Sequence, residues 1–149
     1  MTVSPVPCAQ AVLDVVPSVM RFIRAEMRGS RTDLSVPQFR SLLYIARHEG
    51  ASLREVAAHL GLTPPSASKM IDGLQRRTLV RRRSSTEDRR RITLGLTPSG
   101  AAQLRQSMAA ARRKLAGRLG DLAPEELQTV TAAMRILHLS FPAPGQREN

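Results

Sequence analysis

Between positions 52 and 100 the apolar residues change period twice, and each change marks an element. Leu53, Val56, Ala57 and Leu60 fall at i, i+3, i+4 and i+7, one face of a helix. Ser52-Leu53-Arg54-Glu55 reads as a capping box, with the Ser52 hydroxyl bonding the N3 amide and Glu55 reaching back to the Ser52 amide, so the helix starts at Leu53. Gly61 supplies the left-handed residue that ends it. Thr63-Pro64 then restarts the chain as a cap followed by proline at N1. Ala67, Met70, Ile71 and Leu74 form the inward face of this second helix, leaving Pro65, Ser66, Ser68, Lys69 and Asp72 on or near its outward side.

After Leu79-Val80 the period becomes two. Arg81-Arg82-Arg83 leads into the polar turn Ser84-Ser85-Thr86-Glu87-Asp88, and Arg89-Arg90-Arg91 leads out of it into Ile92, Leu94 and Leu96, which alternate with small or polar residues. The pattern predicts a hairpin with two basic arms, closed by Thr97-Pro98 where another helix begins. Helical stripes continue along Leu104, Met108, Ala111, Leu115 and Leu119, and along Leu127, Val130, Met134, Leu137 and Phe141. Near the N-terminus Val12, Val16, Val19, Met20, Ile23 and Met27 form a similar face, with Pro17 either kinking that helix or marking its start. The last helix opens at Leu122-Ala123-Pro124, where Ala123 occupies the cap position without a capping side chain, implying local fraying.

Charge adds a function to this outline. Nine basic residues lie between Lys69 and Arg91 against the acids Asp72, Glu87 and Asp88, so a net of +6 out of the chain's +11 sits in that stretch. Two short amphipathic helices alone fit an ordinary helical hairpin, and a single arginine triplet fits a solvated face. Two triplets on adjacent hairpin arms behind a helix-turn-helix sit where phosphates flank an inserted helix, which implies double-stranded DNA. Small hydroxyl residues and a lysine near a helix N-terminus suit a major groove.

From about Leu34 to Gly100 the chain resembles the MarR family of winged helix-turn-helix transcription regulators. The resemblance rests on Ser35-Val36-Pro37-Gln38-Phe39 opening a helix, on Ala57 and Gly61 at the expected separation, and on Asp88-Arg89-Arg90 followed by Leu96-Thr97-Pro98-Ser99-Gly100. It implies a mainly α (α+β) fold: a winged helix-turn-helix DNA-binding lobe with N- and C-terminal helices forming a dimerisation lobe. The expected boundaries are one MarR-type domain over 1–149, a core over 34–100 with a recognition helix at about 63–78 and a wing at about 80–97, and dimerisation helices over 8–29 and 98–141. It further implies a homodimer that binds a pseudo-palindromic operator, usually as a repressor relieved by a small-molecule effector, anionic or aromatic, or by oxidation. Three unpaired-looking helices at the chain ends fit the same dimer, since they have little central domain to bury against.

The expected DNA contacts are Thr63, Pro65, Ser66, Ser68, Lys69, Arg76, Arg81, Arg82, Arg83, Asp88, Arg89, Arg90 and Arg91. By resemblance Arg90 enters the minor groove and Asp88 holds it, which suits the concentrated negative potential of a narrow groove. An effector pocket implied between the helical arms and the winged lobe takes Met20, Arg24, Phe39, Leu43, Tyr44 and Arg47 as its candidates. The alternatives are a nonspecific architectural winged-helix binder and a redox-sensing regulator built on Cys8, the sole cysteine, which has no basic neighbour in sequence to stabilise a thiolate. A winged helix that binds protein would have little use for the arginines.

At 149 residues and 42% hydrophobic content the chain can bury a core, and no compositional break predicts a second domain. Met1 to Pro7 and the tail from Pro142 are expected to be mobile. No uninterrupted apolar run of membrane-spanning length and no signal peptide is evident, so no membrane partner and a cytoplasmic location are expected. His48, His59 and His138 lack zinc-site spacing, so no metal and no cofactor are expected. No phosphate loop, nucleophile elbow or paired-acid constellation occurs, and an enzyme is not expected.

Overall fold

The computed structural model describes residues 4–28, 33–85, 87–88 and 90–141. The element order is α1 (Val6–Arg28), α2 (Val36–Arg47), α3 (Leu53–Leu60), α4 (Pro64–Arg76), β1 (Val80–Ser84), β2 (Ile92–Leu96), α5 (Pro98–Leu119) and α6 (Pro124–Ser140). The chain is mostly helical with one small sheet. Its contacts divide it into two compact units, Met1–Arg112 and Arg113–Asn149.

In the first unit the helix ends follow the capping chemistry. Ser35 and Ser52 both close capping boxes, with Gln38 and Glu55 as the returning side chains. Gly61 holds a left-handed conformation at φ 66°, and its amide bonds the carbonyls of Ala57 and Ala58. Thr63 caps α4 and Pro64 follows at N1. The core joins α2, α3, α4, the hairpin and the start of α5 through Leu42, Ile45, Val56, Ile71, Leu74, Leu79, Val80, Leu94 and Leu104. Leu42, Ile71 and Leu74 are fully buried, each stabilising the lobe by about 1.5–3 kcal/mol.

β1 and β2 pair antiparallel, Val80 opposite Leu96 and Ser84 opposite Ile92. On its other edge β2 meets the residues before α3: the Leu94 amide bonds the Ala51 carbonyl at 2.7 Å, and Ser52 bridges Thr93. The hairpin is thereby fastened to the first helix of the helix-turn-helix.

The joint from α4 to β1 is the tightest place in the lobe. Thr78 sits at φ +57°, unfavourable for a β-branched residue. Thr97 anchors it from across the hairpin, its hydroxyl donating to the Thr78 carbonyl and its amide to the Leu79 carbonyl. Gly100 packs so closely there that a Cβ would lie 1.9 Å from the Leu79 oxygen.

Several expectations need correcting. α1 begins at Val6, so Val6 and Pro7 are helical, and Pro17 lies inside the helix without starting it. Asp14 and Arg21 interrupt the apolar run of α1, yet the helix is long and apolar enough to cross a membrane by length and composition alone. Residues 1–3 and 142–149 lie outside the described residues. Only Met27 of α1 is buried, while Val6, Leu13, Val15, Val16 and Val19 are exposed. Along α5 the stripe fades from buried Leu104 through half-buried Met108, Ala111 and Leu115 to exposed Leu119.

In the second unit α6 starts after Ala123, which offers no side-chain cap; Glu126 instead accepts from the Ala123 amide at 2.9 Å. No described residue of α6 is buried, and Leu127, Val130, Met134, Ile136, Leu139 and Phe141 are exposed.

The histidines belong to the packing. Tyr44 stacks on His48 at 4.0 Å and meets His59 in a tilted arrangement at 4.6 Å between ring centroids. Burial, with Arg40 and His48 adding to it, holds the His59 imidazole below its ordinary pKa, and its buried Nδ1 has no hydrogen-bond partner among the described residues. Bonds from the Ser52 amide and hydroxyl hold the Glu55 carboxyl below its ordinary range against the opposing effect of burial, with Arg91 and His48 assisting.

Two sets of measurements test this account. Gly100→Ala should cost about 1–3 kcal/mol in urea denaturation, because backbone must move. Thr78→Gly should stabilise by up to about 1 kcal/mol, since relief of the left-handed strain exceeds the added chain entropy. With acidification the unfolded chain gains a proton at His59 below the free value of 6.5 that the folded chain resists, so stability falls from there toward the lower folded value. The Glu55 contribution is present above 4.5 and is lost as pH drops through its lower folded value. Melting temperature should therefore decline in two acid stages, the first missing in His59→Gln and the second in Glu55→Gln.

Candidate nucleic-acid interface

The exposed surface of α4 is polar at its N-terminal end because the apolar residues are spent inward. Ala67, Ile71 and Leu74 are fully buried and Met70 is half-buried, which leaves Pro65, Ser66 and Lys69 exposed and Ser68 half-buried. Thr63 Oγ1 accepts from the Ser66 amide at 3.4 Å and donates to Ser66 Oγ at 2.9 Å. At the far end Arg76 is exposed, and the Arg77 guanidinium donates to the Asp33 carbonyl at 3.1 Å.

Strand alternation sorts the first arginine triplet onto two faces. Arg82 shares its face with buried Val80 and meets Asp72 of α4, Nη2 to Oδ1 at 2.6 Å. Arg81 and Arg83 lie on the opposite face, in a groove with Arg91 and the carboxylates of Glu49, Glu55 and Glu87. Gly95 leaves space for Arg81, whose Nε would be 3.3 Å from a Cβ at that position.

The wing tip is built by two short side chains. Ser85 Oγ accepts from the amides of Glu87 and Asp88, and its own amide donates to the Arg91 carbonyl at 2.7 Å. Asp88 Oδ1 accepts from the Arg90 amide at 2.9 Å, while the Asp88 carbonyl takes the Arg91 amide. Asp88 therefore orders the backbone that carries Arg90, whose side chain is exposed. Arg89, expected as a phosphate contact, lies outside the described residues.

The structure thus joins α4 to β1 through the Asp72–Arg82 pair and places Arg81, Arg83 and Arg91 in a separate groove with Glu49, Glu55 and Glu87. That ion pair escaped sequence reasoning. Its signal was available: an acid on the outward side of α4 opposite a strand whose middle arginine must face the core side. Ser85 was likewise read only as part of a polar turn.

The six effector candidates have different surroundings among the described residues. Phe39 and Leu43 pack against the core, Tyr44 is buried in the histidine stack, Met20 is half-buried and Arg47 exposed. Arg24 lines a recess of about 250 Å³ together with Met27, Arg28, Leu34, Ser35, Val36 and Pro37. Cys8 is exposed in the first turns of α1. No group of three metal-ligating residues occurs among the described residues.

Residues 32–91, which carry the helix-turn-helix and most of the wing, match the MarR family model. Over that segment the chain is similar to the MarR family. The matched segment has the winged-helix arrangement of a helix-turn-helix followed by a hairpin. The chain is similar to the HTH-type transcriptional repressor YetL of Bacillus subtilis, 33% identical over 85 residues, or 57% of this chain and 51% of YetL. The chain thus spans about half the length of that relative. Its fold matches the crystal structure of RV1404 from Mycobacterium tuberculosis at a TM-score of 0.80 and 23% identity, over 99% of this chain and 100% of that one. It also matches a MepR variant from Staphylococcus aureus bound to an oligodeoxyribonucleotide, at a TM-score of 0.63 and 21% identity, over 89% and 96% of the two chains.

The Asp72–Arg82 pair is the contact most open to test. Its side chains are 43% and 32% exposed, so a double-mutant cycle with Asp72→Ala and Arg82→Ala should give a coupling of about 0.5–1 kcal/mol, shrinking toward zero at molar salt.

Proposed function

We propose that this protein is a MarR-family regulator, a homodimeric, sequence-specific repressor that lays α4 in the major groove of a pseudo-palindromic operator and sends Arg90 into the adjacent minor groove. The observation that carries the reading is the Asp72–Arg82 ion pair, which ties α4 to the basic hairpin. Ser66, Ser68 and Lys69 read base edges. Thr63, Pro65, Arg76, Arg81, Arg83, Arg89 and Arg91 meet or flank phosphates, Arg82 orients the hairpin, and Asp88 presents Arg90. A structural neighbour bound to an oligodeoxyribonucleotide and a relative named as a repressor support this use of the fold. A regulator of this kind works in the compartment that holds the genome.

The exposed apolar residues of α1 and those of α6 are the surfaces that a second copy covers, over the boundaries 8–29 and 98–141 expected for dimerisation. A two-fold dimer then matches two half-sites. Relief comes from a small anionic amphiphile seated at the Arg24 recess, where Met27, Leu34, Val36 and Pro37 supply apolar walls and Arg28 a second cation.

Titration of a randomised duplex library at several salt concentrations tests the reading. Sequence-selective binding by a species of twice the chain mass is expected. Arg90→Ala should weaken the preferred duplex about tenfold, and Arg83→Ala should weaken all duplexes alike and lower the salt slope by about 0.9. Equal affinity for every duplex would overturn sequence-specific repression in favour of an architectural binder.

A further inference from the structure

Arg81 and Gly95 stand directly opposite each other in β1 and β2. The glycine is half-buried although it has no side chain of its own to cover the strand. Arg81 covers it instead. A Cβ at Gly95 would stand 3.7 Å from the Arg81 Cγ, 3.3 Å from its Nε and 4.0 Å from its Nη2. The side chain therefore lies across β2 along most of its length, with its apolar stem against the strand and its charged head at the surface.

The stem is placed, but the charge is not engaged. Arg82 and Arg77 are tied to the Asp72 carboxylate and the Asp33 carbonyl, at 2.6 and 3.1 Å. Arg81 makes no hydrogen bond or ion pair among the described residues. Glu49, Glu55 and Glu87 line the same groove. Of these, Glu55 already accepts from the Ser52 amide at 2.6 Å, and neither Glu49 nor Glu87 pairs with an arginine among the described residues. Arg83 and Arg91 also line the groove, so three cations face this side of the hairpin.

A guanidinium held by packing, with its N–H donors free, is preorganised for phosphate oxygens. Part of the side-chain entropy that an arginine loses on binding is then lost already in folding. A side chain at position 95 would remove that advantage by occupying the space over which Arg81 lies.

We propose that Gly95 is a positioning residue for DNA binding: its missing side chain seats Arg81 across the hairpin and aims the guanidinium at a backbone phosphate. This role rests on the proposed function, in which the hairpin lies against duplex DNA. It gives Gly95 control of a phosphate contact that the glycine does not itself make. Valine at position 95 fills the seat with a branched side chain that strands favour, so it lifts Arg81 without weakening the hairpin.

The experiment compares Gly95→Val, Gly95→Ala, Arg81→Ala and the variant carrying both Gly95→Val and Arg81→Ala on a duplex of mixed sequence, by fluorescence anisotropy at several salt concentrations, with melting temperatures alongside. Arg81→Ala should weaken binding about fivefold and lower the salt slope by about 0.9, as the loss of one phosphate contact does. Gly95→Val should move both quantities the same way at an unchanged or higher melting temperature. Gly95→Ala should fall between it and the wild type, since the Arg81 Nε then has only to give slightly. The double variant should bind no more weakly than Arg81→Ala, because both changes remove the same contact. Wild-type binding by Gly95→Val overturns the positioning role, as does a further loss in the double variant or a Gly95→Val loss that comes with a lower melting temperature and an unchanged salt slope. Where Gly95→Val does not fold, Gly95→Ala decides by the same comparisons. Wild-type binding by Arg81→Ala removes the underlying phosphate contact instead, and the positioning role with it.

Discussion

The close approach of α5 to the carbonyl of Leu79 is the constraint on which the rest of the winged lobe depends. Only a residue without a side chain fits at Gly100, and it brings Thr97 to where its hydroxyl and amide bond the carbonyls of Thr78 and Leu79. The chain leaving α4 is held at this point in a conformation that a threonine adopts reluctantly. Its cost is offset by the burial of Leu79 and Val80 directly after it. The angle between α4 and the hairpin is thus set by packing around Leu79.

The electrostatics of the front follow from that geometry. With β1 leaving the joint in this direction, alternation turns Arg82 toward α4 and Arg81 and Arg83 away from it. Asp72 then neutralises one arginine of the triplet, and Glu55, itself bonded to Ser52, lies within the field of Arg91. The basic character of the surface is therefore graded: partnered cations near the scaffold, and exposed Lys69 and Arg90 at the margins. Such grading separates the charges bonded within the protein from those left exposed.

The two chain ends pose the opposite problem. α1 carries valine, leucine, isoleucine and methionine around much of its circumference, yet only Met27 reaches the core. α6 buries none of its described residues. A helix apolar over so wide an arc is stable in water only when another surface covers it.

Sequence by itself determined the elements whose cause is local. The Ser52–Glu55 box, Gly61, the Thr63-Pro64 restart, the two-residue period through Ile92, Leu94 and Leu96, and the Thr97-Pro98 stop all act within a few residues, and each stands where its chemistry put it. The start of α1 was missed because neither Val6 nor Pro7 belongs to the apolar stripe that signalled the helix. Tertiary structure alone decided what distant residues do to one another. It paired Arg82 with Asp72, set Tyr44 against two histidines, packed Phe39 and Leu43 against the core, and placed Gly100 against Leu79. Hydrogen bonds in caps and turns are written in neighbouring residues, whereas ion pairs and close packing depend on where the whole chain returns.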